Sequence, residues 1–217
     1  MNQTTREFLE ELKQREDVLG VILFGSWARG NNRPNSDVDL VVILTEGYKR
    51  TVEYKKDQAF EIIYTTADGV IDFWKSHKND CFGLWEVAKI IYDKDGTIEK
   101  IRREALNIIK EGKSSVDLSQ IKQFKFSMED ELVAIESLLE KDFVTANFVL
   151  QKTVISLTEL FFDLRQLWTS APKQRLKKIQ ELQPELYNLL QDFYLIEQPL
   201  KKKLEIARVI VSLVFDY

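Results

Sequence analysis

Asp37 and Asp39 stand two residues apart in Ser36-Asp37-Val38-Asp39-Leu40-Val41-Val42-Ile43. The apolar run reads as a strand from Asp37 to Leu44, and residues i and i+2 of a strand share a face. The two carboxylates therefore stand side by side and repel each other unless a cation lies between them. Just upstream, Leu23-Phe24-Gly25-Ser26-Trp27-Ala28-Arg29-Gly30 carries an apolar strand into a Gly-Ser turn. The turn reads as a helix start, where free backbone N–H groups favour an anion such as phosphate. A phosphate cradle beside a dicarboxylate is a place for a metal–triphosphate.

This order of features resembles the DNA polymerase β-like nucleotidyltransferase superfamily. Its signature, Gly-Ser followed by Asp-x-Asp or Asp-x-Glu before an apolar strand, is matched at Gly25, Ser26, Asp37 and Asp39, with Ala28, Arg29, Gly30 and Ser36 in the familiar places. A bare Asp-x-Asp would mean little; the strand–turn–strand context makes the match specific. Transfer of a nucleotidyl group puts charge on the α-phosphate and on the departing pyrophosphate, and two Mg²⁺ ions can clamp the attacking and leaving oxygens. Mg²⁺ takes carboxylate oxygens together with phosphate oxygens of the substrate. A third acid is expected from a neighbouring strand. Glu61 is the candidate, because in Phe60-Glu61-Ile62-Ile63 a carboxylate is expensive to bury without a partner. It can act as a metal ligand, as the general base for the attacking hydroxyl, or as both. The competing reading is an edge-strand glutamate facing water.

Further donor-site candidates follow from the same picture. Ser26 is expected to hold a β- or γ-phosphate oxygen through its hydroxyl and N–H, while Gly25 lets the backbone come close; the alternative is a simple turn serine. Arg29 could reach the triphosphate or merely face solvent, and Arg33 and Ser36 are weaker candidates. Lys173, after Ala171-Pro172, resembles the basic residue that meets the triphosphate in streptomycin-type adenylyltransferases, against the alternative of an exposed lysine in a first helical turn. Trp74, Trp85 and Trp168 could line a substrate pocket by stacking or cation–π contact, or could be core. His77 is the single histidine, so a His-rich metal site is excluded and a Ser-His-Asp triad is disfavoured. Cys81 has no His partner nearby. Asp93 and Asp95 precede Gly96 in a polar turn and read as turn residues.

The elements that must position these groups can be read from periodicity. Thr4 or Thr5 caps a helix carrying Phe8, Leu9 and Leu12 on one face. Strands are expected at Val18–Phe24, Asp37–Leu44, Phe60–Thr65 and Val87–Tyr92, and a short helix at Val70–His77. A helix over Thr97–Glu111 stops at Gly112. Gly112-Lys113-Ser114-Ser115 marks a boundary, and the strand-like alternation ends there. Ile121, Phe124, Met128, Leu132, Ile135 and Leu139 trace a long amphipathic helix. A second helix runs from Asp142 to Trp168, and Pro172, Pro184 and Pro199 mark restarts. The expected fold is α+β: a nucleotidyltransferase catalytic domain over residues 1–113, with a mixed sheet and flanking helices, then an all-α helical bundle over 114–217. By the resemblance, the bundle closes one side of the cleft and binds substrate.

Composition narrows the partners. A net charge of −4 and no lysine- or arginine-rich block disfavour a nucleic-acid polymer as substrate; Lys201-Lys202-Lys203 reads as a solvated helix end. One cysteine excludes an internal disulfide and fits a reducing compartment. No run approaches ~18 consecutive apolar residues, and the polar start lacks an export region, so a soluble cytoplasmic chain without a membrane partner is expected. A homodimer is left open.

The leading functional expectation is an enzyme that binds Mg²⁺–ATP, or another NTP, and moves the NMP to a hydroxyl of a small acceptor such as an aminoglycoside-like compound, releasing pyrophosphate. The alternative is an adenylylating enzyme of toxin–antitoxin type acting on a protein partner. The absence of any histidine beyond residue 77 removes a HEPN-type ribonuclease from the helical half. A silent binding domain would require a lost carboxylate or a broken Gly-Ser turn, and neither is seen.

Overall fold

The computed structural model of this chain describes residues 1–76, 83–195 and 197–216, the side chains of 75 and 76 excepted. His77 and Cys81 lie outside the described residues. The chain divides into two units, Met1–Glu111 and Gly112–Tyr217.

In the first unit the order is α1 (Gln3–Lys13), β1 (Val18–Phe24), α2 (Gly25–Arg29), β2 (Val38–Leu44), β3 (Lys49–Lys55), β4 (Gln58–Thr65), α3 (Ala67–Ser76), α4 (Gly83–Val87), β5 (Lys89–Asp93) and α5 (Thr97–Glu111). The strands form one mixed sheet in the order β3-β4-β2-β1-β5. Only β2 and β4 run parallel; the other neighbours are antiparallel. The chain leaves β2, passes beyond β4 to lay down β3 at the edge, turns back at Lys56 (φ 53°), and fills the gap as β4.

Alternation along β2 and β4 separates two faces. Val38, Leu40, Val42, Phe60, Ile62 and Tyr64 belong to one buried cluster with Phe8, Leu9 and Leu12 of α1. The Phe8 and Phe60 rings meet at 4.5 Å. Burying side chains of this size is worth about 1.5–3 kcal/mol each, so this face anchors the sheet. Asp39, Val41, Glu61, Ile63 and Thr65 occupy the alternate positions, on the opposite face.

The structure departs from sequence expectation at several elements. The α1 cap is Asn2, neither Thr4 nor Thr5. The Asn2 side chain accepts from the Thr5 N–H at 2.8 Å and donates to Gln58 Oε1 at 3.1 Å, while Thr5 is buried inside the helix. Strand β3 and helix α4 were not expected: β3 is an exposed edge strand, polar at most positions, and α4 is a five-residue turn of helix. The strand anticipated from Val87 begins at Lys89 because Val87 ends α4.

The second unit contains α6 (Leu118–Leu138), α7 (Phe143–Leu164), α8 (Pro172–Leu182), α9 (Pro184–Tyr194) and α10 (Leu200–Phe215). Helix α7 ends at Leu164 and does not reach Trp168, since Gln166 adopts a left-handed φ of 57°. Leu150, Val154, Leu157, Phe161, Phe193 and Ile210 are fully buried at its centre. No described helix is long and apolar enough to cross a membrane.

At Gly20 on β1 a helix packs close on the sheet: a Cβ there would stand 2.3 Å from Ile98 Cγ1 of α5. Gly20→Ala is expected to cost about 1–3 kcal/mol through overpacking, measured by urea unfolding. Ile98→Ala should remove most of that penalty in the double variant, giving strong non-additivity.

Candidate active site

The three acids singled out in the sequence converge. Carboxylate oxygens of Asp37, Asp39 and Glu61 all lie within 4.8 Å of one another. Asp37 is exposed and immediately precedes β2; Asp39 and Glu61 are half-buried on β2 and β4. The parallel register pairs Asp39 with Glu61 directly, so the two side chains leave the same face at neighbouring-strand spacing.

Gly25 explains the local shape. Strand β1 ends with Phe24 opposite Asp39, and Gly25 follows with φ +65°. A Cβ on Gly25 would stand 1.8 Å from Asp39 Oδ2 and 2.6 Å from its Cγ. The backbone thus packs directly on the carboxylate, in a conformation that glycine adopts without strain. Ser26, half-buried, opens the second position of α2, and its carbonyl accepts from Asn31 N–H at 3.1 Å as the helix closes. With five residues α2 has little macrodipole, so an anion beside it would rely on individual N–H groups.

The loop ahead of Asp37 is tied by Ser36. Its hydroxyl accepts from Arg33 N–H at 2.8 Å, and its N–H donates to the Arg33 carbonyl at 3.0 Å. The Ser36 carbonyl accepts from Gln58 Nε2 at 2.9 Å and from Trp27 Nε1 at 3.4 Å. Ser36 therefore aims Asp37, whichever ligand the site takes. Arg29 is exposed at the end of α2. Lys173 is exposed in the first turn of α8 and belongs to the second unit. Two residues on, Arg175 is buried against Glu159 and Thr158, with Nη1 at 3.0 Å from Glu159 Oε1. Asp93 and Asp95 accept from the backbone N–H groups of Gly96, Thr97, Ile98 and Glu99 and cap α5, as turn residues do.

Sequence reasoning missed Arg50. It projects from β3, pairs with Ile63 of β4, and binds Glu61 Oε1 through both Nε (3.1 Å) and Nη2. The carboxylate hydrogen bond raises the guanidinium pKa above its already high ordinary value, so Arg50 stays charged. Its side chain is 62% exposed and that of Glu61 28%, which puts the pair in the range of about 0.2–1 kcal/mol. A divalent cation can therefore compete for Glu61. The signal for Arg50 was faint: alternation in a polar segment, with the strand pairing that gives it meaning visible only in three dimensions.

Beyond Arg50, on the same sheet face, lies a cavity of about 550 Å³. Val41, Ile63 and Thr65 contribute from the strands, and Val70, Trp74 and Trp85 from α3 and α4. Trp74 and Trp85 meet edge to face, centroids 5.7 Å apart and planes at 87°. Trp168 lies in the second unit, with Lys113 Nζ 5.8 Å from its ring centre.

Comparison with known proteins adds the following. Residues 5–144 match the family model described as a nucleotidyltransferase domain, a span running past the first unit and through α6. A Methanocaldococcus jannaschii protein, provisionally named a protein adenylyltransferase, is 35% identical over 108 residues, covering 44% of this chain and 74% of that protein. The crystal structure of a nucleotidyltransferase-like protein from Exiguobacterium sibiricum superposes with a TM-score of 0.51 at 12% identity, over 98% of this chain and 73% of that one, a likeness of fold. Spectinomycin adenyltransferase of Enterococcus faecialis aligns over 98% of this chain and 96% of its own, at 13% identity and a TM-score of 0.35.

Two outcomes are expected of site variants. Gly25→Ala should lose about 1–2 kcal/mol from the left-handed backbone alone and weaken Mn²⁺ binding as Asp39 is pushed aside; thermal unfolding and metal titration check both. Arg50→Ala should tighten Mn²⁺ binding by up to about fivefold, the release of a pair worth at most ~1 kcal/mol.

Proposed function

This chain belongs to the nucleotidyltransferase domain family and is an enzyme of nucleotidyl transfer, and we propose that it moves AMP from ATP to a hydroxyl of a small-molecule acceptor with release of pyrophosphate. The observation that carries this reading is the convergence of three carboxylates within 4.8 Å of one another, one of which, Asp39, packs on the Gly25 backbone.

The donor set fits a hard divalent cation: three carboxylates and no soft ligand among them. Asp37, Asp39 and Glu61 would hold Mg²⁺, two ions in the reading we favour. Bound there, Mg²⁺ would neutralise charge on the phosphates and favour displacement at the α-phosphate. The protein's own groups do the rest. Gly25 allows a phosphate to approach the backbone, and Ser26 offers its hydroxyl and N–H to the β- or γ-phosphate. Ser36 keeps Asp37 aimed. Glu61 stands where an attacking hydroxyl needs a base, with Arg50 holding one of its oxygens in place. Arg29 is proposed to reach the triphosphate from α2, and Lys173 from the helical unit.

The first unit is proposed as the catalytic domain, and the helical unit as one that binds the nucleotide substrate at its triphosphate, through Lys173. A polycationic aminosugar is the acceptor that three acids alone would suit; Arg50 among them offsets part of that charge. A second reading, adenylylation of a protein partner, is favoured by the name of the archaeal relative. The single cysteine supports a reducing, cytoplasmic setting.

Pyrophosphate release with each NTP against acceptor pools tests the reading. Asp39→Asn should lower turnover by about 10²–10³-fold, the scale of losing one charge-stabilising group; turnover unchanged in this variant would sink the assignment. Intact-mass measurement of co-expressed proteins, looking for added AMP, separates a protein acceptor from a small molecule.

A further inference from the structure

We propose that the cavity lined by β2, β3, β4, α3 and α4 is the acceptor subsite, and that it takes an uncharged aromatic hydroxyl compound; this rests on the acidic triad being the nucleotidyl-transfer centre. Direction comes first. In phosphoryl chemistry the attacking and leaving oxygens lie roughly in line across the phosphorus. The sheet order sets β2 between β1, which ends in Gly25-Ser26, and β4, which carries Glu61. With the β- and γ-phosphates over Gly25-Ser26, the nucleophile must enter from the Glu61 side.

The cavity adjoins Glu61 on the same face of the sheet. From Glu61, the next same-face positions of β4 are Ile63 and Thr65, both in its floor, at about 7 Å per two residues. Arg50 bonds Glu61 and also lines the cavity. A compound seated there passes its hydroxyl beside Arg50 to Glu61. The hydroxyl proton goes to the Glu61 carboxylate, the oxygen bonds to the α-phosphorus, and the bond to the β-phosphate oxygen breaks with its electron pair leaving on pyrophosphate.

Lining chemistry defines the occupant. Val41, Ile63, Val70 and Leu84 are apolar, and two tryptophans stand with them. One cation, Arg50, and one acid, Asp72, leave the described walls without the excess of carboxylates that a polycation needs. Trp85 is 2% exposed and its buried indole N–H has no acceptor among the described residues, a debt that a ligand's carbonyl or ether oxygen would settle once the ring edge turned toward the cavity. The volume suits a small molecule. A flat, neutral ring bearing a hydroxyl and a hydrogen-bond acceptor meets all of these demands.

Calorimetry with Mg²⁺ and a non-hydrolysable ATP analogue, using 4-hydroxyacetophenone, N-acetyltyrosinamide and kanamycin as probes, tests the proposal. Binding of either phenol is expected. The tighter of the two tells whether the ring belongs to a free compound or to a polypeptide tyrosine. Trp85→Phe, which keeps the ring and loses the N–H, should weaken that binding about 5–10-fold and leave nucleotide binding unchanged. Val41→Phe, which fills the cavity from another strand, should abolish it. Binding of neither phenol, binding of kanamycin alone, or phenol binding indifferent to both variants overturns the proposal. Asp39→Asn separates the two readings. Phenol binding kept with transfer lost supports the subsite, and transfer kept in Asp39→Asn overturns the route past Glu61 together with the assignment of the centre.

Discussion

Asp39 and Glu61 face each other across the parallel pairing of β2 and β4, two like charges at a strand spacing of about 4.8 Å. Like charges directly opposed on a sheet are destabilising, so the fold tolerates the pair only with compensation nearby. Much of the first unit supplies that compensation or follows from the pairing. Parallel neighbours require the chain to cross over between them. Here it does so by laying β3 beyond β4, and that excursion delivers Arg50 to Glu61. The connection that makes the pairing possible also brings the cation that offsets it.

The other side of Asp39 is managed by backbone. Gly25 has no side chain to keep its main chain away from the carboxylate, and a left-handed φ turns β1 into α2 at that point. Ser36, held by Arg33, Gln58 and Trp27, fixes the approach of Asp37. None of these contacts is worth more than a few kcal/mol. What gives them effect is the apolar cluster under the opposite face, where Phe60 and Ile62 flank Glu61 in sequence and are fully buried. With its neighbours anchored below, Glu61 has one direction to point.

That division of labour between faces also sorts the aromatic residues. Phe8 and Phe60 pack beneath the sheet and serve stability. Trp74 and Trp85 are as buried as core residues, yet they wall a cavity on the face that bears the acids. A hydropathy pattern treats the two pairs alike; only the parity of the strand positions they cover separates packing from a cavity wall. The family match, over residues 5–144, runs past the first unit and beyond α6.

Sequence alone singled out the three acids that the fold brings together. Gly25, Asp37, Asp39 and Glu61 could be named because a strand places alternate residues on one face and because few residue types do metal–phosphate chemistry. Strand β1 and helix α5 were legible to the residue, their apolar periodicity being unbroken and their ends marked by glycine. Strand β3 was not, since an edge strand open to solvent needs no apolar alternation, and α4 is too short to show a period. Everything that depends on which strands become neighbours had to wait for the fold. The Asp39–Glu61 register, the Arg50 contact and the cavity beyond it join residues eleven to forty-odd positions apart, and strand partnership is a property of the whole sheet that no local pattern encodes.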